Sequence, residues 1–223
     1  HLLVGMTGVA LVEHSQQLHS DMPETRLRGY VQLSTDAVPG AQVALTHPDG
    51  SPVLKPDGSQ AYGVTEPHYL GPLIITQRNR PVRLRFYNLL PTGEAGNLFI
   101  PVDKTVMGAS EQYPENRATV HLHGAFVPWI SDGTPHQWTT PAGENPAYPR
   151  GVSVYNVPDM EDAGPEPPQG VLTFYYNNQQ SARLQFYHDH AWGITRLNVY
   201  AGEAAGYIIR DEVENDLING TKI

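Results

Sequence analysis

The segment ARLQFYHDHAW, residues 182–192, indicates the fold class more clearly than any other part of the sequence. Its β-prone run Ala182–Tyr187 predicts a strand, and His188 and His190 follow at the end of that strand. Side chains two residues apart on a strand point to the same side of the sheet. We therefore expect the two imidazoles to lie together and Asp189 to point away from them.

The same alternation predicts which side of this strand faces the core. Leu184 and Phe186 share their parity with the two histidines. We therefore expect the core face of the strand to continue as a histidine face at the strand's end.

A second segment, TVHLHG at residues 119–124, repeats the pattern. His121 and His123 follow the β-prone run Arg117–Val120, and the strand period turns Leu122 to the opposite side. Two neighbouring strands that end in such pairs would gather four imidazoles at one end of a β-sandwich.

Four clustered imidazoles indicate a metal site, with His121, His123, His188 and His190 as its ligands. Neutral imidazole binds copper, zinc and iron well, whereas hard cations prefer carboxylates. Without a metal, protonation would set like charges against one another. Two independently hydrogen-bonded pairs at strand ends are the structural alternative, and zinc-dependent hydrolysis is the alternative chemistry.

The rest of the chain predicts an all-β protein with long, turn-rich connections, either a sandwich or a barrel. We expect residues 1–24 to form an extended lead-in, residues 25–210 one domain, and residues 211–223 a linker that leaves it. No helical period of useful length is present. Further strands are expected at Arg26–Leu33, Ala41–Thr46, Pro72–Gln77, Pro81–Leu90, Val171–Tyr176, Leu197–Tyr200 and Gly206–Arg210.

Composition excludes several classes of function. The 223 residues include 23 acidic and 14 basic side chains, and the formal charge of −9 argues against nucleic-acid binding. Cysteine is absent, which excludes disulfides, thiolate metal sites and a blue-copper centre within this chain. No stretch reaches the roughly 20 apolar residues of a membrane span. Because the chain begins with His1 rather than Met, we expect a processed or partial polypeptide.

Both histidine segments resemble those of the multicopper oxidases, in the branch of spore-coat laccases and bilirubin oxidases. PETRLRGY at residues 23–30, Ser131-Asp132-Gly133 and the long run at residues 178–211 also resemble that branch. The resemblance implies a cupredoxin-like Greek-key β-sandwich, the first of several such domains. It also implies an activity in which a type-1 copper takes electrons from a small reducing substrate and a trinuclear copper cluster reduces dioxygen to water. Relative to compact members, residues 32–69 and 141–169 are expanded loops.

The resemblance assigns a role to each candidate residue. His121 would bind the type-2 copper, His123 and His188 one type-3 copper, and His190 the other type-3 copper. Asp132 resembles an acidic residue that supplies protons near the site of oxygen reduction, and a plain Asp-Gly turn is its alternative interpretation.

The sequence also departs from the family, because it holds half of the cluster's histidines and no type-1 cysteine. We therefore expect a chain that is inactive alone and is completed by C-terminal cupredoxin domains, carried on a second polypeptide from the same precursor. An isolated domain and a non-catalytic copper-binding or interaction module are the alternatives. The reducing substrate stays open among phenols, aryl amines, bilirubin-like compounds and metal ions. The family implies a secreted, periplasmic or cell-surface location.

Overall fold

A computed structural model describes residues 6–154 and 168–222 of the chain. Strands dominate the described residues, and the helices are few and short. In chain order the elements are β1 (Met6–Gln16), β2 (Thr25–Gln32), β3 (Val43–Ala44), β4 (Tyr62–Gly63), β5 (Ile74–Gln77), β6 (Val82–Asn88), β7 (His121–His123), β8 (Val171–Tyr176), β9 (Arg183–His188), α1 (Thr195–Ala201), β10 (Ala204–Arg210) and α2 (Glu212–Asn219).

Two four-stranded sheets form a sandwich. One sheet has the order β2-β1-β6-β8, the other has the order β5-β10-β9-β7, and β3 and β4 form a small separate pair. β1 runs parallel to β6 and β5 runs parallel to β10, whereas all other neighbours are antiparallel. This mixed sandwich, in which the chain passes repeatedly between the sheets, confirms the expected cupredoxin-like fold class.

The core lies between the two sheets and explains the strand pattern of β6. Val82, Leu84 and Phe86 are buried there, while the residues between them are partly exposed on the other face of the strand. Burial of each such side chain contributes about 1.5–3 kcal/mol to folding. The shared core includes Val9, Leu11, Tyr30, Leu84, Phe86, Phe174 and Tyr176 from one sheet and Ile74, Leu122, Tyr187, Tyr207 and Ile209 from the other.

The expectation of a lead-in over residues 1–24 is wrong for residues 6–16, which form β1 in the interior of a sheet. Both faces of β1 are covered. Val9 and Leu11 belong to the core between the sheets, and Ala10 and Val12 belong to a second apolar cluster, to which residues of the segment 32–69 contribute. A strand buried on both sides shows a continuous apolar run instead of an alternation, so its period is not visible in the sequence.

The strand expected at Leu197–Tyr200 is also wrong, because these residues lie in α1. The buried residues Ile194, Asn198 and Ala201 follow a helical spacing, and the helix ends at Gly202, whose φ is +120°. In this segment the tertiary packing around the buried Asn198 therefore outweighs the β-propensity of the side chains.

The segment 211–223 is helical over most of its described length. Asp211 caps α2 by accepting a hydrogen bond from the backbone N–H of Glu214, and no residue of the helix is buried. The role of this segment as a linker stays a prediction. Within residues 6–154 and 168–222, no helix is long and apolar enough to cross a membrane.

Candidate metal centre

The four predicted histidines lie at one end of the second sheet, where β7 and β9 run side by side. In the antiparallel register His121 lies opposite His188, and His123 lies opposite Phe186. Leu122 is buried in the core, which turns both histidines of β7 away from it, as the spacing predicts. His190 follows two residues after the end of β9.

The structure brings three of the four histidines within reach of a single ion. Ligand nitrogens of His121, His123 and His188 lie within 4.8 Å of one another. Nδ1 of His123 and Nε2 of His188 are 3.1 Å apart, so the two nitrogens need a proton or a cation between them. The ring of His190 stacks on that of His121 with centroids 4.5 Å apart, and thus lies beside the group of three rather than within it.

Backbone carbonyl groups fix the orientation of three of these rings. Nδ1 of His121 contacts the carbonyl oxygen of Asp132 at 2.5 Å, Nδ1 of His188 that of Asp189 at 2.5 Å, and Nδ1 of His190 that of Gly133 at 2.9 Å. A carbonyl oxygen can only accept a hydrogen bond, so each Nδ1 carries the proton and donates it. Each Nε2 consequently carries no proton and has a lone pair that can bind a metal, which is the arrangement typical of metal-ligating histidines.

Burial favours the neutral form of His188 and His121, which is the form that can bind a metal. It lowers the pKa of His188 from 6.5 to about 4, against the opposing hydrogen bond to the Asp189 carbonyl. Burial also lowers the pKa of His121, while the carbonyl and carboxylate of Asp132 oppose that shift. Both rings are therefore uncharged at neutral pH, and the residues present fit a copper-type metal.

The turn at Ser131–Gly133 carries two of the carbonyl acceptors. Gly133 has a φ of +68°, and a Cβ on it would lie 1.9 Å from the carbonyl oxygen of Val120. Only glycine permits so close an approach of this turn to the segment that leads into His121. The sequence pointed to the turn through Asp132, but did not indicate that its main chain would orient the histidine rings.

The carboxylate of Asp132 lies close to His121, but the backbone carbonyl of the same residue lies closer. Its Oδ2 is 3.5 Å from Nδ1 of His121, farther away than its own carbonyl oxygen. About a third of the Asp132 side chain is exposed, at 32%. Its role as a proton-supplying acid stays a prediction.

The predicted core face of β9 is reversed in the structure. Leu184 and Phe186 are 75% and 46% exposed, whereas Gln185 and Tyr187 are buried. The ring of Phe186 stacks on that of His123 with centroids 4.6 Å apart. The histidine face of this strand is thus an outer face, and an exposed apolar surface continues from it.

The acidic residues Glu161, Asp162 and Glu166, which the sequence places in a Pro-rich loop, lie outside the described residues.

Known proteins related to this chain were found by sequence and by fold. No family model matches. A laccase of Bacillus subtilis (strain 168) is 32% identical over 211 residues, covering 94% of this chain and 30% of the laccase. A laccase of Bacillus stratosphericus is 38% identical over 147 residues, covering 66% of this chain and 24% of that protein.

The fold has solved counterparts. The multicopper oxidase McoA of the hyperthermophile Aquifex aeolicus superposes with a TM-score of 0.51 at 15% identity, over 98% of this chain and 29% of McoA. The chain spans less than a third of the length of each of these proteins. Together with the sandwich and its histidine cluster, these findings place the chain in the multicopper oxidase family, as a cupredoxin-like part of such a protein.

Proposed function

We propose that this chain is the N-terminal part of a laccase-like multicopper oxidase and supplies half of the histidines of its trinuclear copper cluster. The observation that carries the proposal is the orientation of the rings: carbonyl oxygens hold the Nδ1–H of His121, His188 and His190, which leaves each Nε2 unprotonated and able to bind a metal. In this proposal His121 binds the type-2 copper, His123 and His188 one type-3 copper, and His190 the other.

Bound copper would pass electrons from the reducing substrate to dioxygen, and the chain's own residues prepare the site for it. The neutral imidazoles of His121 and His188 bind the metal without first losing a proton at neutral pH. The carboxylate of Asp132, which is partly exposed and 3.5 Å from Nδ1 of His121, would pass protons from solvent toward the cluster. Reduction of one dioxygen to two waters consumes four electrons and four protons, so a route for protons is required.

The remaining ligands and the type-1 copper would come from other cupredoxin domains. The sequence has no cysteine and no His-x-His pair besides the two described. The exposed side chains of Leu184 and Phe186 next to His123 offer those domains an apolar surface. We propose that these domains are carried on a second polypeptide from the same precursor.

The reducing substrate would be oxidised at the type-1 copper, on a part of the oxidase outside this chain. Phenols, aryl amines, bilirubin-like compounds and metal ions are the candidate classes. We further propose a secreted, periplasmic or cell-surface location.

The alternative function is a copper-binding module without oxidase chemistry. It is favoured by one observation: His121, His123 and His188 form a three-imidazole group by themselves. Such a module would bind copper without needing any other domain.

The test is His188→Ala in the assembled oxidase, with oxygen uptake and the colour of the type-1 copper followed after addition of a reducing substrate. We expect oxygen uptake to stop while the type-1 copper is still bleached by substrate. His19→Ala, at an exposed histidine in a turn, is the control and should behave as wild type. Normal turnover in His188→Ala would refute the assignment, and a protein that binds copper but never consumes oxygen would support the module.

A further inference from the structure

Asp189 lies between two of the candidate ligands, and its carboxylate is completely buried, at 0% exposure. Its Oδ1 accepts a hydrogen bond from the backbone N–H of Thr119 at 2.9 Å. Its Oδ2 accepts one from the backbone N–H of Ala191 at 2.9 Å and another from Nδ2 of Asn198 at 2.9 Å. One side chain thus joins three separate segments of the chain.

These hydrogen bonds lie where the pairing of β7 with β9 provides none. The ladder between β7 and β9 is short and ends with His121 opposite His188, and His190 lies beyond it. Thr119 precedes His121 by two residues, and Ala191 directly follows His190. The carboxylate therefore connects the two histidine segments on the side where their strands are no longer paired.

The third partner fixes the carboxylate to the interior of the protein. Nδ2 of Asn198 also contacts the carbonyl oxygen of Arg117 at 3.3 Å, and its Oδ1 accepts from Nη1 of Arg28 at 3.4 Å. Both arginines are completely buried. Because Asn198 belongs to α1, this contact joins the histidine segments to the helix and to the first sheet.

The side chain at position 189 has to accept hydrogen bonds at both of its terminal atoms, so a carboxylate fits and an amide does not. Three N–H groups point at the two oxygens of Asp189, and a carboxylate accepts at both oxygens without offering a donor. An asparagine of the same shape would place its own NH₂ group against at least one of these N–H groups. Burial of an acidic side chain is costly unless hydrogen bonds of this kind offset it.

We infer that Asp189 is a positioning residue that fixes the His121–His123 and His188–His190 segments relative to each other, so that their bare nitrogens converge on copper. The inference rests on the proposed function for the identity of the metal. In this role the carboxylate of Asp189 acts by accepting hydrogen bonds from backbone amides of the two segments, and not by touching the candidate ligands.

The test compares Asp189→Asn with wild type in the 223-residue chain. Amide hydrogen exchange of Thr119 and Ala191 is measured without copper, and the affinity and electron paramagnetic resonance spectrum are then measured with Cu(II). We expect both amides to exchange about 10-fold faster or more, and the Cu(II) affinity to fall roughly 10- to 100-fold, with a changed spectrum, as for other groups that orient ligands.

Glu203→Gln is the matched control, because the Glu203 side chain is also completely buried but pairs with Arg28 at 3.7 Å. The hydrogen bond from the N–H of Asp189 to Glu203 is accepted by the backbone carbonyl of Glu203, which the substitution keeps. Glu203→Gln is expected to lower the stability toward urea while leaving the two amides and the Cu(II) spectrum as in wild type. Unchanged exchange or affinity in Asp189→Asn would overturn the inference. Equal losses in Glu203→Gln would do the same, since the effect would then be one of general stability.

If Asp189→Asn does not fold, Asn198→Ala removes one of the three hydrogen bonds and replaces it in the test. Faster exchange of the Ala191 amide together with weaker Cu(II) binding supports the inference, and wild-type values overturn it. Failure of the wild-type chain to bind Cu(II) at the histidines would instead contradict the proposed function. The hydrogen-exchange data, which are measured without copper, would then show whether Asp189 holds the two histidine segments together.

Discussion

The most direct test of the fold outside the metal centre is its stability in acid, because β1 carries a buried histidine. His14 is 8% exposed, and neither ring nitrogen has a hydrogen-bond partner within the described part of the chain. Burial, and secondarily the proximity of His68, lowers the pKa of His14 from 6.5 to about 4. The folded protein therefore holds this ring neutral at pH values where the unfolded chain protonates it.

The sign and size of the effect follow from that difference. A histidine whose folded pKa is depressed contributes its full share of stability above the unfolded pKa of 6.5, and that share is lost as the pH falls toward the folded pKa of about 4. Between pH 7 and pH 5 the linkage relation gives a loss of about 2 kcal/mol from this one group. The loss approaches about 3 kcal/mol at still lower pH.

His14→Leu removes the titrating ring and keeps an apolar side chain of similar size. The free energy of unfolding is measured by urea titration at pH 7 and at pH 5 for wild type, His14→Leu and His19→Leu. We expect the stability lost between the two pH values to be about 2 kcal/mol smaller in His14→Leu than in wild type. His19→Leu removes an exposed histidine and should lose as much as wild type. The same loss in all three proteins would refute the reasoning, since contributions from other histidines cancel in the comparison.

Three further substitutions test the packing, each by urea unfolding. Gly133→Ala forces a Cβ to within 1.9 Å of a carbonyl oxygen and should cost about 3 kcal/mol or more, whereas Gly50→Ala, also at positive φ but in open space, should cost about 1 kcal/mol; equal costs would contradict the contact. Tyr207→Phe removes a buried hydroxyl that donates to an amide oxygen at 2.7 Å and should cost about 1–3 kcal/mol, against about 0.5 kcal/mol or less for Tyr200→Phe at an 80% exposed ring. Arg28→Met leaves its buried carboxylate partner without a counter-charge and should cost about 3 kcal/mol, so that a loss below about 1 kcal/mol would show the pair to be unimportant.

How far the sequence predicted the strands depended on how each strand is buried. β6 packs one face on the core, so Leu84 and Phe86 alternate with more polar residues and the strand was predicted correctly. β1 is covered on both faces, and its apolar run carries no period from which a strand could be recognised. The helical segment at α1 was missed for a different reason, because its buried side includes the polar residue Asn198.

For the candidate site, the sequence predicted which histidines meet but not how their rings are held. The two-residue spacing on neighbouring strands was sufficient to bring His121 and His188 together. The groups that orient the rings are main-chain carbonyls, two of them from the turn at residues 131–133, and a carbonyl has no sequence signature. Asp189 was expected only to point away from the two imidazoles, and two of its three hydrogen bonds depend on partners that lie farther along the chain, Thr119 and Asn198.

The reversed face of β9 is the error that bears most on function. Both faces of this strand carry a large apolar or aromatic residue, so composition alone could not indicate which face is the core. Tyr187 is the residue that fits between the sheets, and its hydroxyl donates to the carbonyl oxygen of Pro72 at 2.7 Å. Leu184 and Phe186 are thereby left on the outside, beside His123. Under the proposed function one explanation accounts for both this exposed apolar surface and the presence of only half of the cluster's histidines. The domains that supply the other histidines would pack on this surface.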